Sequence, residues 1–138
     1  MKTVLLVEDC EEDIDLVRTA FDRYSNAVRL EVARSGEAAL DLLRCRQVDD
    51  PPKLPVCILL DMCMAQGDGM WLLRGLEDAP GLRDIPVMVV SETGDMLRPA
   101  RSFGNVVGAA QKPARQHEFR KLVEDLARLA GAMPQTVG

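Results

Sequence analysis

Polar residues that suit metal or phosphoryl chemistry follow four short apolar runs of this sequence. Glu8 and Asp9 follow TVLLV, and Asp61 follows CILL. Ser91 ends IPVMVVS, and Lys112 comes two residues after VVGAA. A carboxylate is costly to bury unless a partner compensates its charge. An acid at the end of a buried strand therefore indicates either a strand that stops at solvent or a carboxylate with a specific partner.

The apolar runs alternate with segments of helical period. Apolar residues such as Ile14, Val17 and Phe21 fall on one helical face, and Ser35 is a plausible N-cap for the next helix. Strands alternating with helices predict parallel pairing with right-handed crossovers. The fold class is therefore α/β, a three-layer α/β/α sandwich with a five-stranded parallel sheet. The expected strands cover residues 3–7, 28–33, 56–61, 85–91 and 106–110.

The segments between the strands are expected to be helices, with one loop and one irregular segment among them. Helices are expected over residues 11–24, 35–44 and 70–78, and the last one carries Phe119, Leu122, Val123, Leu126 and Leu129 at helical spacing. Residues 46–55 are expected to form a loop because three prolines interrupt them. The segment around Pro99 is expected to be at best a short, irregular helix, since proline cannot donate a backbone hydrogen bond.

The five polar residues are expected to converge, because sites in such sheets lie at the carboxyl ends of the strands. Three clustered carboxylates would raise at least one pKa, and a hard divalent cation would remove the conflict. Mg²⁺ suits this set because it prefers oxygen ligands. With the Ser91 hydroxyl and the Lys112 ammonium as donors, the set predicts a pocket for a phosphoryl group carried by Asp61.

Composition excludes several other classes. The 138 residues are enough for one domain, and a hydrophobic share of 47% with 28% charged residues is typical of a globular protein. The net charge of −5 gives no reason to expect nucleic acid, no apolar run is long enough for a membrane span, and the N-terminus does not read as a secretory signal. No pair of the four cysteines forms C-x-x-C, so reduced thiols in a cytoplasmic protein are expected rather than a zinc site.

The motif set resembles the receiver domain of bacterial two-component response regulators over nearly the whole chain. Glu8 and Asp9 match the family's acidic pair, Asp61 its phosphoacceptor, and Ser91 its hydroxyl position. Lys112 and Pro113 match its lysine–proline pair, and Gly69 matches the glycine that closes the loop after the phosphoacceptor. Within the family, two further features resemble the small regulators that partner bacterial phytochromes. These are the long proline-rich segment before the third strand and the expected lack of an output domain.

The resemblance implies a flavodoxin-like (βα)5 fold, with a receiver domain over residues 1–130, a flexible tail over 131–138 and no output domain. It implies that a sensor histidine kinase, in the narrower match a bacteriophytochrome, donates a phosphoryl group to Asp61. Mg²⁺ would be held by Asp9, Asp61 and the backbone carbonyl of Cys63, with Glu8 acting through a water. The peptide before Pro113 is expected to be cis. Such a protein assists its own phosphorylation and dephosphorylation but is not a turnover enzyme.

Output is then expected to come from binding a downstream protein, a relay partner or a second copy of the chain. The surface of the fifth strand and the last helix, including Val106 and Val107, is the expected partner face. Two departures from the family pattern bear on this output. Ala109 stands where the family has an aromatic switch residue. Glu92 replaces the small residue after the conserved hydroxyl, where its bulk and its negative charge are expected to slow phosphorylation.

Three alternatives stay open at this stage. A degenerate receiver would bind a partner without phosphorylation, which Glu92 and Ala109 would allow. A Mg²⁺-dependent phosphatase with an aspartyl nucleophile would need a second aspartate two residues after Asp61, where the chain has Cys63. A nucleotide-binding domain would need a glycine-rich loop after the first strand, and the sequence has none there.

Overall fold

Five parallel strands form one sheet at the centre of the molecule. The computed structural model describes residues 1–65, 68–112 and 116–131. The strands are β1 (Lys2–Val7), β2 (Val28–Ala33), β3 (Cys57–Asp61), β4 (Val87–Ser91) and β5 (Val106–Gln111). Their order in the sheet is β2-β1-β3-β4-β5, and every neighbouring pair is parallel. The predicted three-layer α/β fold is confirmed.

Helices cover both faces of this sheet. The helices are α1 (Glu11–Phe21), α2 (Gly36–Asp49), α3 (Asp68–Glu77), α4 (Leu97–Arg101) and α5 (Gln116–Leu129). One core lies between the sheet and the helices α1 and α5, and a second lies between the sheet and α2, α3 and α4. Because helices cover both faces, β3 is buried at every position and is apolar up to its last residue, Asp61. Among the described residues, none of the helices is long and apolar enough to cross a membrane.

Helix α2 is longer than the sequence pattern predicts. Ser35 is its N-cap as expected, and its hydroxyl accepts a hydrogen bond from the Ala38 amide. The helix then continues to Asp49, so the prediction of a loop from Arg46 onward is wrong for its first four residues. It stops there because a residue before proline, here Asp50, is disfavoured in helical conformation. A short 3-10 turn, Pro51–Lys53, follows.

One other boundary also differs, and the short helix expected around Pro99 forms. Gly69 lies inside the first turn of α3 rather than before the helix, and a Cβ there would meet the Met62 sulfur at 3.0 Å and the Met62 Cα at 3.1 Å. Glycine thus allows α3 to pack closely on the chain that leaves β3. In α4, Pro99 is the third residue of the helix, where a missing amide hydrogen removes no intrahelical hydrogen bond.

The expected cis peptide before Pro113 and most of the expected tail, from residue 132 onward, lie outside the described residues. All four cysteines are described, and all four are free.

Candidate functional site

Asp61 ends the central strand β3 and is almost fully buried, with 3% of its surface exposed. Its neighbours in the sheet are β1 and β4, which deliver Glu8 and Ser91 to the same edge. One carboxylate oxygen of Asp61, Oδ1, accepts a hydrogen bond from the Cys63 amide at 2.9 Å. The other, Oδ2, lies 3.3 Å from the Lys112 ammonium. The strand order therefore surrounds the Asp61 carboxylate with polar groups from the strands on both sides of β3.

The two acids after β1 have different environments. Glu8 is 2% exposed, whereas Asp9 is exposed. The Oε1 atom of Glu8 accepts a hydrogen bond from the Cys10 amide at 3.1 Å. One carboxylate oxygen from each of Glu8, Asp9 and Asp61 lies within 4.8 Å of the other two. The three acids that the sequence predicted to cluster are therefore close enough to share one ion.

Lys112 is the cation of this cluster. The Lys112 amide donates to the Ser91 carbonyl at 2.7 Å, which extends the β4–β5 ladder and brings the side chain to the site. The ammonium nitrogen lies 3.0 Å from Glu8, 3.3 Å from Asp61 and 2.6 Å from Asp13. Burial lowers the pKa of Lys112, but hydrogen bonds to Asp13 and Glu8 and the charges of Asp61 and Glu8 outweigh it and raise the pKa.

Asp13 is the site residue that the sequence analysis missed. It lies in the first turn of α1, where an acid is fully accounted for by the helix dipole. Its carboxylate nevertheless makes the shortest of the Lys112 ion pairs. The signal that could have found it is its position, since the first turn of a helix that follows a strand lies beside the carboxyl edge of the sheet.

Negative charge in the cluster exceeds what Lys112 can neutralise. Three carboxylates pair with the one ammonium, and Asp9 adds a fourth carboxylate near Glu8 and Asp61. The pKa of Glu8 is raised to about 7 by burial and by the charge of Asp61, with Lys112 opposing the rise. A small divalent cation would relieve this conflict, and carboxylate oxygens are the ligands it prefers. The donor set of this chain therefore fits the Mg²⁺ that the sequence predicted.

Ser91 is fully buried at the end of β4. Its hydroxyl oxygen lies 3.0 Å from the Cys63 sulfur and accepts a hydrogen bond from the Thr93 amide at 3.3 Å. The Cys63 sulfur also accepts a hydrogen bond from the Glu92 amide at 3.3 Å. The hydroxyl is thus at the expected edge, with its hydrogen bonds directed to Cys63 and Thr93.

The two residues that depart from the family pattern lie beside this edge. Glu92 is exposed, and its carbonyl accepts a hydrogen bond from the Gln111 side chain at 3.0 Å. Ala109 is partly buried, and its carbonyl accepts one from Arg101 on α4 at 3.1 Å. Side chains from both neighbouring strands therefore hold the loop after β4: the Cys63 side chain, just after β3, and the Gln111 side chain, at the end of β5.

An open cleft of about 590 Å³ lies next to the acidic cluster. It would give a reactant access from the side of Asp9. The half-exposed ring of Trp71 is part of the lining. The residues that line the cleft are Asp9, Arg34, Ser35, Glu37, Ala65, Asp68 and Trp71.

Comparison with known proteins identifies the class. Residues 4–124 match the family described as the response regulator receiver domain. The chain belongs to this family, and the resemblance expected from its motifs is confirmed. Receiver domains are signalling modules of two-component systems rather than classical enzymes.

Three members of known name are similar to the chain in sequence or structure. It is 35% identical over 126 residues to the "Probable methanogenesis regulatory protein FilR2" of Methanothrix harundinacea, covering 89% of this chain and 79% of that protein. It is 32% identical over 90 residues to the response regulator Rcp1 of Synechocystis, covering 65% of this chain and 61% of Rcp1. The crystal structure of the phosphorylated cyanobacterial phytochrome response regulator RcpA superposes with a TM-score of 0.81 at 26% identity, covering 98% of this chain and 99% of RcpA. A Mn²⁺-bound form of Rcp1 superposes with a TM-score of 0.78 at 26% identity, over 99% of this chain and 100% of that one.

Proposed function

We propose that this protein is a stand-alone response regulator that accepts a phosphoryl group on Asp61 from a sensor histidine kinase in a Mg²⁺-dependent reaction. One observation carries the proposal: a buried carboxylate at the carboxyl edge of the sheet lies 3.3 Å from an ammonium and close to two further carboxylates. This arrangement offers a nucleophile, a donor and a cation site at one point. The proposal makes the chain a phosphoacceptor, not a turnover enzyme.

The residues have separate roles in the transfer. An oxygen of the Asp61 carboxylate attacks the phosphorus atom of a phosphohistidine, and the P–N bond breaks with its electron pair remaining on the imidazole nitrogen. The product is an acyl phosphate on Asp61. Lys112 and Ser91 donate hydrogen bonds to phosphoryl oxygens, which stabilises the charge on the transferred group.

Asp9, Asp61 and the backbone carbonyl of Cys63 would hold Mg²⁺, with Glu8 acting through a water. When bound, the metal supplies positive charge against the phosphoryl oxygens. The pKa of Glu8 is raised to about 7 first by burial and then by the charge of Asp61, with Lys112 opposing the rise. The part due to Asp61 is negative charge that a cation at this point would offset, which supports a metal here. The Mn²⁺-bound form of the relative Rcp1 is a further support for a divalent ion.

Partners are proposed from the relatives and from the surface. RcpA is a phytochrome response regulator by name, which supports a bacteriophytochrome as the kinase. A cytoplasmic location is proposed together with that kinase. A homodimer or a downstream protein would bind the face of β5 and α5. There Val107 is 54% and Leu129 is 46% exposed, and both line a shallow groove of about 280 Å³. Leu129 thus departs from the buried helical stripe that its spacing predicts.

A degenerate receiver that binds partners without phosphorylation is the second candidate. It is favoured by Ala109, which leaves β5 without an aromatic switch residue, and by Glu92, which adds negative charge near Asp61. The arrangement of Lys112 against Asp61 favours the phosphoacceptor.

Intact-protein mass spectrometry after incubation with acetyl phosphate separates the two candidates. The phosphoacceptor gains one phosphoryl mass with Mg²⁺, gains far less with EDTA, and gains none as Asp61→Asn. Asp49→Asn is a matched control, because this aspartate is exposed at the end of α2. It should be phosphorylated like the wild type. A wild-type protein that stays unmodified in Mg²⁺ would favour the degenerate receiver.

A further inference from the structure

Cys63 contacts both groups that the proposed reaction uses. Its amide donates to Oδ1 of Asp61 at 2.9 Å, and its sulfur lies 3.0 Å from the Ser91 hydroxyl oxygen. The first contact involves the backbone and is open to any residue except proline. The contact with the Ser91 hydroxyl depends on the side chain, because it needs a small hydrogen-bonding group at this position. The contact with Ser91 is therefore the one that a substitution of the Cys63 side chain would remove.

The sulfur is itself fixed in place. It accepts a hydrogen bond from the Glu92 amide at 3.3 Å, so the thiol bridges the end of β4 at two consecutive residues. Thr93 adds its amide to the Ser91 oxygen from the other side. Because the Ser91 oxygen already accepts from Thr93, its own hydrogen is available to donate to the Cys63 sulfur, and we take the hydroxyl as the donor in this contact.

We propose that Cys63 is a positioning residue that acts through Ser91: its thiol holds the hydroxyl in the resting state and competes with the phosphoryl group for it. The inference rests on the proposed function, in which Ser91 donates to a phosphoryl oxygen. Moving the hydroxyl to that oxygen gives up its contact with the thiol. The thiol contact therefore opposes the phosphorylated state and sets how readily the protein enters it.

The size of this opposition follows from the worth of one hydrogen bond. A typical intramolecular hydrogen bond contributes about twofold to tenfold to an equilibrium constant, and sulfur is a weak partner at the lower end of that range. Removing the thiol should therefore favour the phosphoryl-bound state by about two- to fivefold. The change should pass entirely through the Ser91 hydroxyl.

Equilibrium binding of beryllium trifluoride, a phosphoryl mimic, at saturating Mg²⁺ tests the proposal. The fluorescence of Trp71, the single tryptophan, reports binding because its ring lines the cleft beside Asp9. Cys63→Ala should bind the mimic about two- to fivefold more tightly than the wild type. Cys63→Ser, which keeps a hydrogen-bonding group, should lie closer to the wild type than Cys63→Ala does. Cys45→Ala removes an exposed thiol from α2 and should leave the affinity unchanged.

A double-mutant cycle shows whether the effect passes through Ser91. In a Ser91→Ala background, Cys63→Ala should no longer change the affinity, whereas a merely structural or steric effect of Cys63 would persist. Unchanged or weaker binding by Cys63→Ala, or an equal effect in both backgrounds, overturns the inference while leaving the proposed function intact. If the wild type and Asp61→Asn fail alike to bind the mimic, the proposed function falls and this inference falls with it.

Discussion

The buried carboxylate of Glu8 should destabilise the metal-free protein at neutral and alkaline pH. Its pKa is about 7 in the folded protein against an ordinary value of 4.5, because burial and Asp61 both disfavour its charged form. Each unit of pKa difference corresponds to about 1.4 kcal/mol. Ionised Glu8 therefore lowers the free energy of unfolding by about 3 kcal/mol relative to a neutral group at this position.

The sign of the pH dependence follows from proton binding. Between pH 4.5 and about 7 the folded protein holds a proton on Glu8 that the unfolded chain has lost, so this group's stabilising effect is lost as the pH rises through that window. Below the window both states are protonated, and above it both are ionised. Glu8→Gln, which resembles the protonated side chain and does not titrate, removes this pH dependence.

Urea denaturation in EDTA at pH 5 and pH 8 measures the effect. Relative to the wild type, Glu8→Gln should gain about 3 kcal/mol at pH 8 but only about 1 kcal/mol or less at pH 5. Glu12→Gln, an exposed residue on α1, is the matched control and should show no such difference between the two pH values. A Glu8→Gln variant less stable than the wild type at pH 8, or an equal change at both pH values, would show that ionised Glu8 does not destabilise the fold.

Three further changes test other parts of the structure. Lys112→Ala leaves buried carboxylates without their cation, so the metal-free protein should lose about 3 kcal/mol in urea denaturation; Mg²⁺ should restore more stability to the variant than it adds to the wild type. Glu92→Ala and Glu92→Gln should each speed phosphorylation by acetyl phosphate about two- to fivefold if charge repulsion at the mouth is the cause; a gain with alanine alone would indicate crowding instead. Gly36→Ala should destabilise by about 1–3 kcal/mol, because its Cβ would lie 2.5 Å from the Asp68 carboxylate that accepts the Gly36 amide hydrogen bond. Gly94→Ala, with nothing within 4 Å of the added carbon, should cost less in the same assay, and equal losses would count against the packing argument.

The sheet could be predicted closely because buried parallel strands are nearly continuous aliphatic runs. All five predicted strands agree with the observed ones to within two residues at each end. The helix boundaries were harder to predict. Pro51 and Pro52 set the latest residue at which α2 can end, but they do not show whether it ends earlier. Helix α2 therefore runs four residues into the predicted loop, and Arg46 pairs there with Glu31 of β2, a contact that local sequence does not reveal.

The site could be predicted as a set of residues but not as a network of contacts. Strand order brings Glu8, Asp61 and Ser91 to one edge, and this follows from the rule for parallel sheets. The choice of Lys112 partners depends on side-chain reach across the edge, which is why Asp13 was missed. The contact of the Cys63 sulfur with the Ser91 hydroxyl joins the loop after β3 to the end of β4, 28 residues further along the chain, and no pattern in the sequence indicates it.

The most direct test of the account is to find which residue carries the phosphoryl group. Borohydride reduction converts an aspartyl phosphate to homoserine, and peptide mass spectrometry then locates the changed position. After incubation with acetyl phosphate and Mg²⁺, we expect homoserine at position 61 alone. Reduction products at Asp9 or Asp13 instead, or a phosphorylated protein with position 61 unchanged, would contradict it.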